Sequence, residues 1–459
     1  MPKGESKRIT ELKHHARRLS IKEGLFGRAK DSLGFNYISP FAIAINSSNA
    51  VVAMLSAVHG LLGPLSQMIG SRIFEKTSRK KILMKTIFWE SLMWLPLVLI
   101  AFLFYMGIIS KALPVLLLVF FAFYVFAGNL GYPAWFSWMG DIVDEGYRGR
   151  WFAKRNLLLG SVTIVLTISA AFFLDYFKKN HNVMFGFIIL FSLAFLSRMI
   201  SVGIFKKQYE PKTKIKKKDY FSFSEFISKI GENNFGIFTV FRALISFATF
   251  IASALIAVYL LRILNFDYVT YMIILLSGVL FQILSFEIWG KFADVYGNYK
   301  VITITSFFIP VLPLLWIFKS SPLYLVFVPS LIGGIVWAGF NLSVANYIYD
   351  NVQASRRSFA VSYSNVLYGV GVFLGSGLGA ILIKYANVSF IEPLFAIFII
   401  SAILRAVVVF VFIRKLREVR KIKRFSGKGF KKMLFKDGPT TISEEFHQIR
   451  SLPSYLFER

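Results

Sequence analysis

Long apolar segments alternate with short polar connections over most of the 459-residue chain. A helix needs about 20 mostly apolar residues to cross the roughly 30 Å hydrocarbon core of a bilayer. We place twelve such segments and predict a transmembrane helix for each. The first is the least apolar, because it contains Asp31 and Asn36. The predicted spans are, to within a few residues, 26–46, 50–70, 82–107, 112–139, 149–175, 183–205, 235–262, 267–289, 300–318, 323–347, 357–384 and 390–413.

Lysine and arginine concentrate in the connections on one side of the predicted membrane and in both ends of the chain, whereas the opposite connections, such as NSSN and GIISKA, are short and hold few cations. By the positive-inside rule, both termini are therefore expected to be cytoplasmic. The predicted organisation is a basic tail (1–25), a six-helix bundle (26–205), a linker (206–234), a second six-helix bundle (235–414) and a second basic tail (415–459).

The linker is the longest internal polar stretch. Its second part carries Phe223, Phe226, Ile227 and Ile230 at helical spacing, which is compatible with an amphipathic helix on the membrane surface. A solvated linker fits the composition equally well, so the two alternatives stay open.

Composition supports a multi-pass membrane protein, since 56% of the residues are hydrophobic and 17% are charged. The formal net charge of +29 is explained by topology rather than by nucleic acid, because the cations flank apolar segments. The chain has no cysteine, which excludes disulfides and thiolate sites, and its five histidines show no metal-binding spacing. We therefore expect no cofactor, no metal and no enzymatic activity.

Two landmarks occur once in each half of the chain. RGRWFA at 148–153 returns as SRRSFA at 355–360, which sets Arg150 against Arg357 at an offset of 207 residues. SRIFEKTSRKKIL at 71–83 aligns with GKFADVYGNYKVI at 290–302, which sets Glu75 against Asp294. Each pair lies in equivalent connections of its half, so the halves are predicted to be structural repeats.

These landmarks resemble the major facilitator superfamily, whose signature after the second span is G-x-L-A-D-R-x-G-R-K. The stretch 133–150 also resembles the PAW-x-SWMGD-x-x-P-E-x-x-RGR block of a prokaryotic group of these transporters, with Asp144 in place of proline. The resemblance covers residues 25–414. It implies an all-α membrane fold of twelve helices in two pseudo-symmetric six-helix bundles, related as repeats, that expose one site alternately to the two sides. The signature positions kept are Gly290, Ala293, Asp294 and Gly297 in one copy, and Arg79 and Lys80 in the other.

The resemblance further implies a cytoplasmic gate of breakable ion pairs. By the family's pattern, Asp294 would meet the start of the fifth span, and Glu75 would meet the start of the eleventh span near Arg356. The plainer alternative is that these loops only follow the positive-inside rule, but it does not account for the acidic residues at motif positions. The predicted gate residues are Glu75, Arg79, Asp141, Glu145, Arg148, Arg150, Gly290, Asp294, Gly297 and Arg357.

In this fold the first, fourth, seventh and tenth spans line the central cavity, and polar groups there are candidate ligands. Arg242 would hold an anionic substrate group or pair with a carboxylate as a structural tie. Asp31 would be a proton-coupling group or an interfacial residue satisfied by water or Arg28. The predicted cavity residues are Asn36, Tyr37, Asn129, Arg242, Ser246, Thr249, Trp337 and Asn341.

Three charged residues lie on spans that are peripheral in the family. They are Glu90, Arg198 and Arg405, on the third, sixth and twelfth spans. Structural pairing or snorkelling to the interface is expected for them.

The leading hypothesis is a secondary active or facilitative carrier of a small solute. The signatures of proton-driven drug antiporters and of sugar porters are missing, so no substrate follows from the sequence. The alternative is a non-transporting receptor, scaffold or lipid-handling protein on the same fold. The expected partners are a small-molecule substrate, a coupling proton or ion, and the bilayer of the plasma membrane, with anionic lipids at the basic tails; the expected state is a monomer without nucleic acid.

Overall fold

The computed structural model describes residues 3–74, 78–108, 110–143, 145–211, 222–352, 356–385 and 392–419. Glu75 of the predicted gate lies outside these ranges, and the side chains of Glu145, Arg148, Arg150 and Arg357 also lie outside what is described. The chain divides into two compact units, Met1–Lys216 with Asp267–Val269, and Lys217–Phe266 with Thr270–Arg459.

In the described part of the first half, every secondary-structure element is a helix. Its helices are α1 (Lys3–Leu33), a 3-10 turn (Phe35–Tyr37), α2 (Ile38–Ala44), α3 (Asn49–Phe74), α4 (Arg79–Leu92), α5 (Trp94–Tyr105), α6 (Ala112–Leu130), α7 (Tyr132–Ile142), α8 (Glu145–Lys179) and α9 (Val183–Lys207).

The second half is built in the same way. Its helices are α10 (Phe223–Ser228), α11 (Asn234–Ser253), α12 (Ile256–Val258), a π turn (Tyr259–Ile263), α13 (Tyr268–Tyr296), α14 (Asn298–Phe308), α15 (Leu312–Leu315), α16 (Pro322–Leu325), a π turn (Val326–Ser330), α17 (Leu331–Asn351), α18 (Arg357–Tyr385), α19 (Pro393–Phe412) and a 3-10 turn (Ile413–Lys415).

Ten helical segments in the described ranges are long and apolar enough to cross a membrane. They correspond to ten of the twelve predicted spans, so the chain is a multi-pass membrane protein. The two others, 26–46 and 300–318, stay predictions. The second of these is interrupted, because α14 ends at Phe308 and only the short α15 follows. Pro310 and Pro313 account for the interruption, since proline removes a backbone donor and clashes with the preceding turn.

The N-terminal segment differs from the predicted tail. Helix α1 begins at Lys3 and continues to Leu33, and its residues Ala16, Leu19 and Glu23 are buried. It packs against α8 and α9 of the same unit. The helix ends at Gly34, where an added Cβ would overlap the ring of Trp94. Residues within the predicted tail therefore belong to the bundle, because α1 presents apolar positions and a buried carboxylate to its neighbours.

The predicted linker helix is partly present. Helix α10 begins after Ser222, whose hydroxyl accepts a hydrogen bond from the backbone N–H of Glu225. Phe226 is buried, and its ring centroid lies 5.9 Å from that of Phe235 and 5.7 Å from that of Tyr363. This part of the linker therefore packs onto the second unit by its aromatic side chains.

The two units repeat one packing scheme. In the first unit α1 packs against α8 and α9, and in the second unit α11 packs against α18 and α19. These are the first, fifth and sixth spans of each half, which agrees with the predicted internal repeat.

Glycines spaced four residues apart on α18 allow its close approach to α11. An added Cβ at Gly371, Gly375 or Gly379 would overlap the backbone carbonyl of Ala243, Phe247 or Ile251, respectively. Residues at this spacing lie on one face of a helix. The glycines of the eleventh span thus permit a backbone-to-backbone packing that any larger residue would prevent.

We expect Gly375→Ala to lower the free energy of unfolding by about 1–3 kcal/mol, because its methyl group would overlap the Phe247 carbonyl. The matched control is Gly377→Ala on the same helix, where an added Cβ meets nothing within 4 Å. The control should be neutral or slightly stabilising, since alanine favours helix. Unfolding in mixed micelles measures both, and equal effects would contradict the packing assignment.

Candidate functional site

A network of charged side chains lies inside the first unit. Nε and Nη2 of Arg198 lie 2.7 and 2.6 Å from Oε2 of Glu90, and Nη1 lies 3.3 Å from Oε1 of Glu23. Nζ of Lys30 lies 2.9 Å from the other carboxylate oxygen of Glu90. Glu90, whose side chain is only 3% exposed, is therefore held between two cations.

Lys30 uses all three of its ammonium donors within this network. It donates to Glu90, to the hydroxyl of Tyr124 at 2.8 Å, and to Oδ1 of Asp31 at 2.7 Å. Asp31 is thus a paired carboxylate with two cationic partners. Lys30 is the closer one, because Nη1 of Arg28 is 3.7 Å from Oδ2 of Asp31. Arg28 thus pairs with Asp31, as one of the alternatives from the sequence has it, and Lys30 is a second and closer partner.

Three helices bring the network together. Glu23 and Lys30 are seven residues apart on α1, which places them on the same face about two turns apart. Glu90 comes from α4 and Arg198 from α9. Burying these charges is compatible with a membrane-spanning bundle because each has partners of the opposite sign.

A cavity of about 370 Å³, here called the N-terminal cavity, adjoins the network. Aromatic rings line part of it, since the ring centroid of Phe35 is 5.3 Å from that of His59. Its main polar and aromatic lining residues are Arg28, Lys30, Asp31, Phe35, Asn36, His59, Glu90, Tyr124, Asn129, Thr163 and Arg198.

Two of the predicted cavity residues line this N-terminal cavity. Nδ2 of Asn36 donates to the hydroxyl of Thr167 at 3.1 Å, and the side-chain amide of Asn129 accepts from Gln67 at 3.0 Å. Tyr37 is fully buried, and its hydroxyl donates to the backbone carbonyl of Thr167 at 2.5 Å. Asn36 and Asn129 are therefore placed to meet a ligand, whereas Tyr37 ties the broken first span to α8.

Among the described residues, the partners of Arg242 are neutral groups of α18 rather than a carboxylate. Its Nη1 donates to the hydroxyl of Ser364 at 3.1 Å and to Oδ1 of Asn365 at 3.0 Å, and its guanidinium lies 4.6 Å from the ring centroid of Tyr368. Ser246 also bonds to α18, through the backbone carbonyl of Tyr368 at 3.0 Å. These residues join α11 to α18.

A second cavity of about 320 Å³, here called the C-terminal cavity, lies in the second unit. Trp337 and Asn341 line it, together with Gln282 and Arg405. Thr249 is not part of its lining, and the Thr249 hydroxyl is buried without a hydrogen-bond partner. The predicted cavity residues are thus distributed over both units.

Part of the predicted gate forms a cluster in the first unit. Nη1 of Arg79 lies 2.7 Å from Oδ2 of Asp141 and 3.1 Å from the hydroxyl of Ser137, and Nη2 donates to the carbonyl of Pro211 at 3.0 Å. Nε lies 3.8 Å from Glu210. This cluster joins α4, α7 and the segment after α9. The motif residues Arg79 and Asp141 therefore connect helix ends within the first unit.

The second copy of the motif supplies a turn. Gly297 has a φ of 84°, which is strained for residues with a side chain, and it directly precedes α14. Gly290 packs near Leu342, and Asp294 is exposed. The proposed meeting of Asp294 with the fifth span stays a prediction.

Sequence reasoning did not identify the charged network as a site. The sequence places Glu23 in the predicted tail, and no pattern distinguishes Lys30 from the other cations near it. For Glu90 and Arg198 the sequence predicts structural pairing or snorkelling; they pair with each other, and they also line a cavity. The available signal was the presence of charges of both signs on three different apolar segments. In the described part of the chain, no group of three or more His, Asp or Glu side chains is arranged to hold a metal ion.

We expect Arg198→Met to lower the free energy of unfolding by about 3–5 kcal/mol, since it would leave buried Glu90 with Lys30 as its cation and buried Glu23 with only Arg155, 3.9 Å away. The control is Lys229→Met, because the Lys229 side chain is 59% exposed and its pairing with Glu225 is expected to contribute at most about 1 kcal/mol. Unfolding of purified protein in mixed micelles gives both values. An Arg198→Met effect as small as that of the control would show that the network is not a stabilising unit.

Comparison with known proteins gives the same fold. The family model described as Major Facilitator Superfamily matches residues 238–456, just under half of the chain. No curated protein matches the sequence.

Solved transporter structures align over most of the chain. A variant of the nucleoside transporter NupG aligns with a TM-score of 0.66 and 14% identity, covering 88% of this chain and 100% of that chain. A bacterial homologue of the iron transporter ferroportin aligns with a TM-score of 0.64 and 14% identity, covering 87% of this chain and 98% of that chain. A POT family peptide transporter aligns with a TM-score of 0.64 and 12% identity, covering 90% of this chain and 99% of that chain. Residues 238–456 thus match the major facilitator superfamily model, and the chain shares the fold of these solved transporter structures.

Proposed function

We propose that this protein is a secondary transporter that carries a small polar solute across the membrane by alternating access. The N-terminal cavity carries the proposal, because polar and charged groups are costly inside an apolar bundle and mark substrate pathways by default. The fold supports it, since solved structures with the same fold include transporters of nucleosides and peptides. The expected setting is the plasma membrane with both termini cytoplasmic.

The chemistry of the N-terminal cavity favours an uncharged solute. Its cations and carboxylates are already paired with each other, as Lys30 and Arg198 are with Glu90. An additional ion would have to compete with these pairs. A neutral solute with hydroxyl or amide groups would instead use hydrogen-bonding capacity that the pairs leave over, on Asp31, Asn36 and His59.

The aromatic part of the cavity favours a solute with a flat apolar face. Phe35 lies beside His59, and its ring stacks on that of Tyr124 with centroids 6.3 Å apart. Aromatic side chains bind planar or ring-shaped groups by offset stacking. Nucleosides combine a planar ring with hydroxyl groups, so they are the first class to test.

Within this proposal Asp31 is the coupling group. Of the two carboxylates that line the N-terminal cavity, Asp31 is the more exposed, at 28% against 3% for Glu90. Proton coupling through Asp31 accordingly predicts that a substrate gradient moves protons in vesicles containing the wild type and not in those containing Asp31→Asn.

We expect Asn36→Ala to abolish substrate binding while the protein still folds, because the Asn36 side chain lines the cavity and contacts only Thr167 across helices. Uridine, glucose and a glycine dipeptide would be tested by thermal shift, since a ligand of the folded state raises Tm by mass action. Uptake of the stabilising compound into proteoliposomes would then be measured for both proteins.

The matched control is Asn180→Ala, the same change at an exposed residue that bonds only to the Tyr176 carbonyl. It should leave binding and uptake unchanged. Organic ions and other sugars would be tested in the same way. If no compound stabilises the wild type or enters the vesicles, the transporter proposal is wrong and a non-transporting role is favoured.

A further inference from the structure

Arg405 is a buried cation in the middle of α19. It is 3% exposed and lines the C-terminal cavity. Nη1 donates to the backbone carbonyl of Ile309 at 3.1 Å, and Nη2 donates to that of Thr249 at 3.3 Å. Its Nε is buried without a hydrogen-bond partner. Of the two alternatives given by the sequence, structural pairing and snorkelling to the interface, the buried Arg405 is the nearer to structural pairing, with backbone carbonyls as its partners.

No carboxylate among the described residues forms an ion pair with Arg405. The carbonyl of Ile309 follows the last residue of α14, where helix-end carbonyls carry partial negative charge. Two backbone carbonyls offset only part of a full charge. The guanidinium thus keeps a deficit of negative charge in an apolar environment.

The equivalent arginine of the first unit differs from Arg405 in its partners. Arg405 lies 207 residues after Arg198, the offset that also relates Arg150 to Arg357. Each of the two arginines contacts the first and third spans of its own unit. Arg198 meets the carboxylates of Glu23 and Glu90 there, whereas Arg405 meets backbone carbonyls only.

The equivalent of Glu90 is an apolar residue. Ile309 lies 219 residues after Glu90, the offset that relates Glu75 to Asp294. The second unit has therefore kept the arginine of the repeat and has isoleucine where the first unit has its acidic partner. A site that retains a buried cation without its internal counter-ion is suited to receive the anion from a ligand.

We propose that the C-terminal cavity binds an organic anion, whose carboxylate or phosphate group meets Arg405 and whose apolar body fills the rest of the cavity. The guanidinium supplies the unused Nε donor, and the side-chain amides of Gln282 and Asn341 also line the site. This binding is independent of transport through the N-terminal cavity.

The apolar body follows from the rest of the lining. Trp316, Trp337 and Phe398 contribute rings, and most other lining residues are aliphatic, proline or glycine. An inorganic anion would leave this surface without a partner, whereas an amphiphilic anion would cover it. Two sources supply the same chemistry, a water-soluble aromatic or aliphatic acid and an anionic lipid.

The test uses the full-length protein in phosphatidylcholine nanodiscs, with benzoate as the anionic compound and benzamide as its neutral counterpart. Benzoate should raise the Tm of the wild type, and benzamide should not. Arg405→Gln should weaken benzoate binding by about tenfold or more, the size expected for a charged hydrogen bond. The matched control Arg414→Gln changes an exposed arginine near the end of the same span and should bind benzoate like the wild type.

A second variant keeps Arg405 in place. Gly333 lines the cavity, and an added Cβ there meets nothing within 4 Å. Gly333→Leu should fill the cavity and abolish the benzoate shift without disturbing the guanidinium. This variant answers the question even if Arg405→Gln does not fold.

The lipid source is separated by a second set of nanodiscs that contain phosphatidylglycerol. If phosphatidylglycerol raises the Tm of the wild type but not of Gly333→Leu, the bound anion is a lipid. If benzoate raises the Tm in this way and phosphatidylglycerol does not, the bound anion is a water-soluble acid. Either result supports the proposal. The proposal is wrong if benzoate and benzamide raise Tm equally, or if the rise in Tm is undiminished in Gly333→Leu. It is also wrong if neither benzoate nor phosphatidylglycerol raises Tm.

Discussion

A charge inside a bilayer costs several kcal/mol unless an opposite charge or a set of hydrogen bonds compensates it, and this cost shapes the first unit. Glu90 is held between Lys30 and Arg198, and Arg198 reaches on to Glu23. The network joins α1, α4 and α9, so it fixes the position of the first helix although that helix is less apolar than the others. The N-terminal cavity exists where these helices meet.

The two halves solve the same packing problem with different chemistry. Both place the first span against the fifth and sixth, and both carry an arginine at the equivalent position of the last span. In the first half the arginine is compensated by two carboxylates, and in the second by two backbone carbonyls. The repeat therefore preserves the helix arrangement, while the polar partners of the two arginines differ.

Close packing distinguishes the second unit in another way. The glycines of α18 bring its backbone next to that of α11, and Arg242 and Ser246 bond across the same contact. Such a contact leaves little room for a ligand at these two side chains. The polar and charged side chains that line the C-terminal cavity instead include Gln282 on α13, Asn341 on α17 and Arg405 on α19.

The sequence by itself determined the membrane class, ten of the spans and the repeat, because long apolar runs and spaced motifs depend only on local order. It also indicated Asn36 and Asn129 as cavity residues. Only the tertiary structure decided that Glu23 belongs to the bundle, that Glu90 pairs with both Lys30 and Arg198, and that no carboxylate among the described residues pairs with Arg405. The reason is physical: whether a charge is compensated depends on which helices are neighbours, and neighbours distant in sequence leave no local pattern.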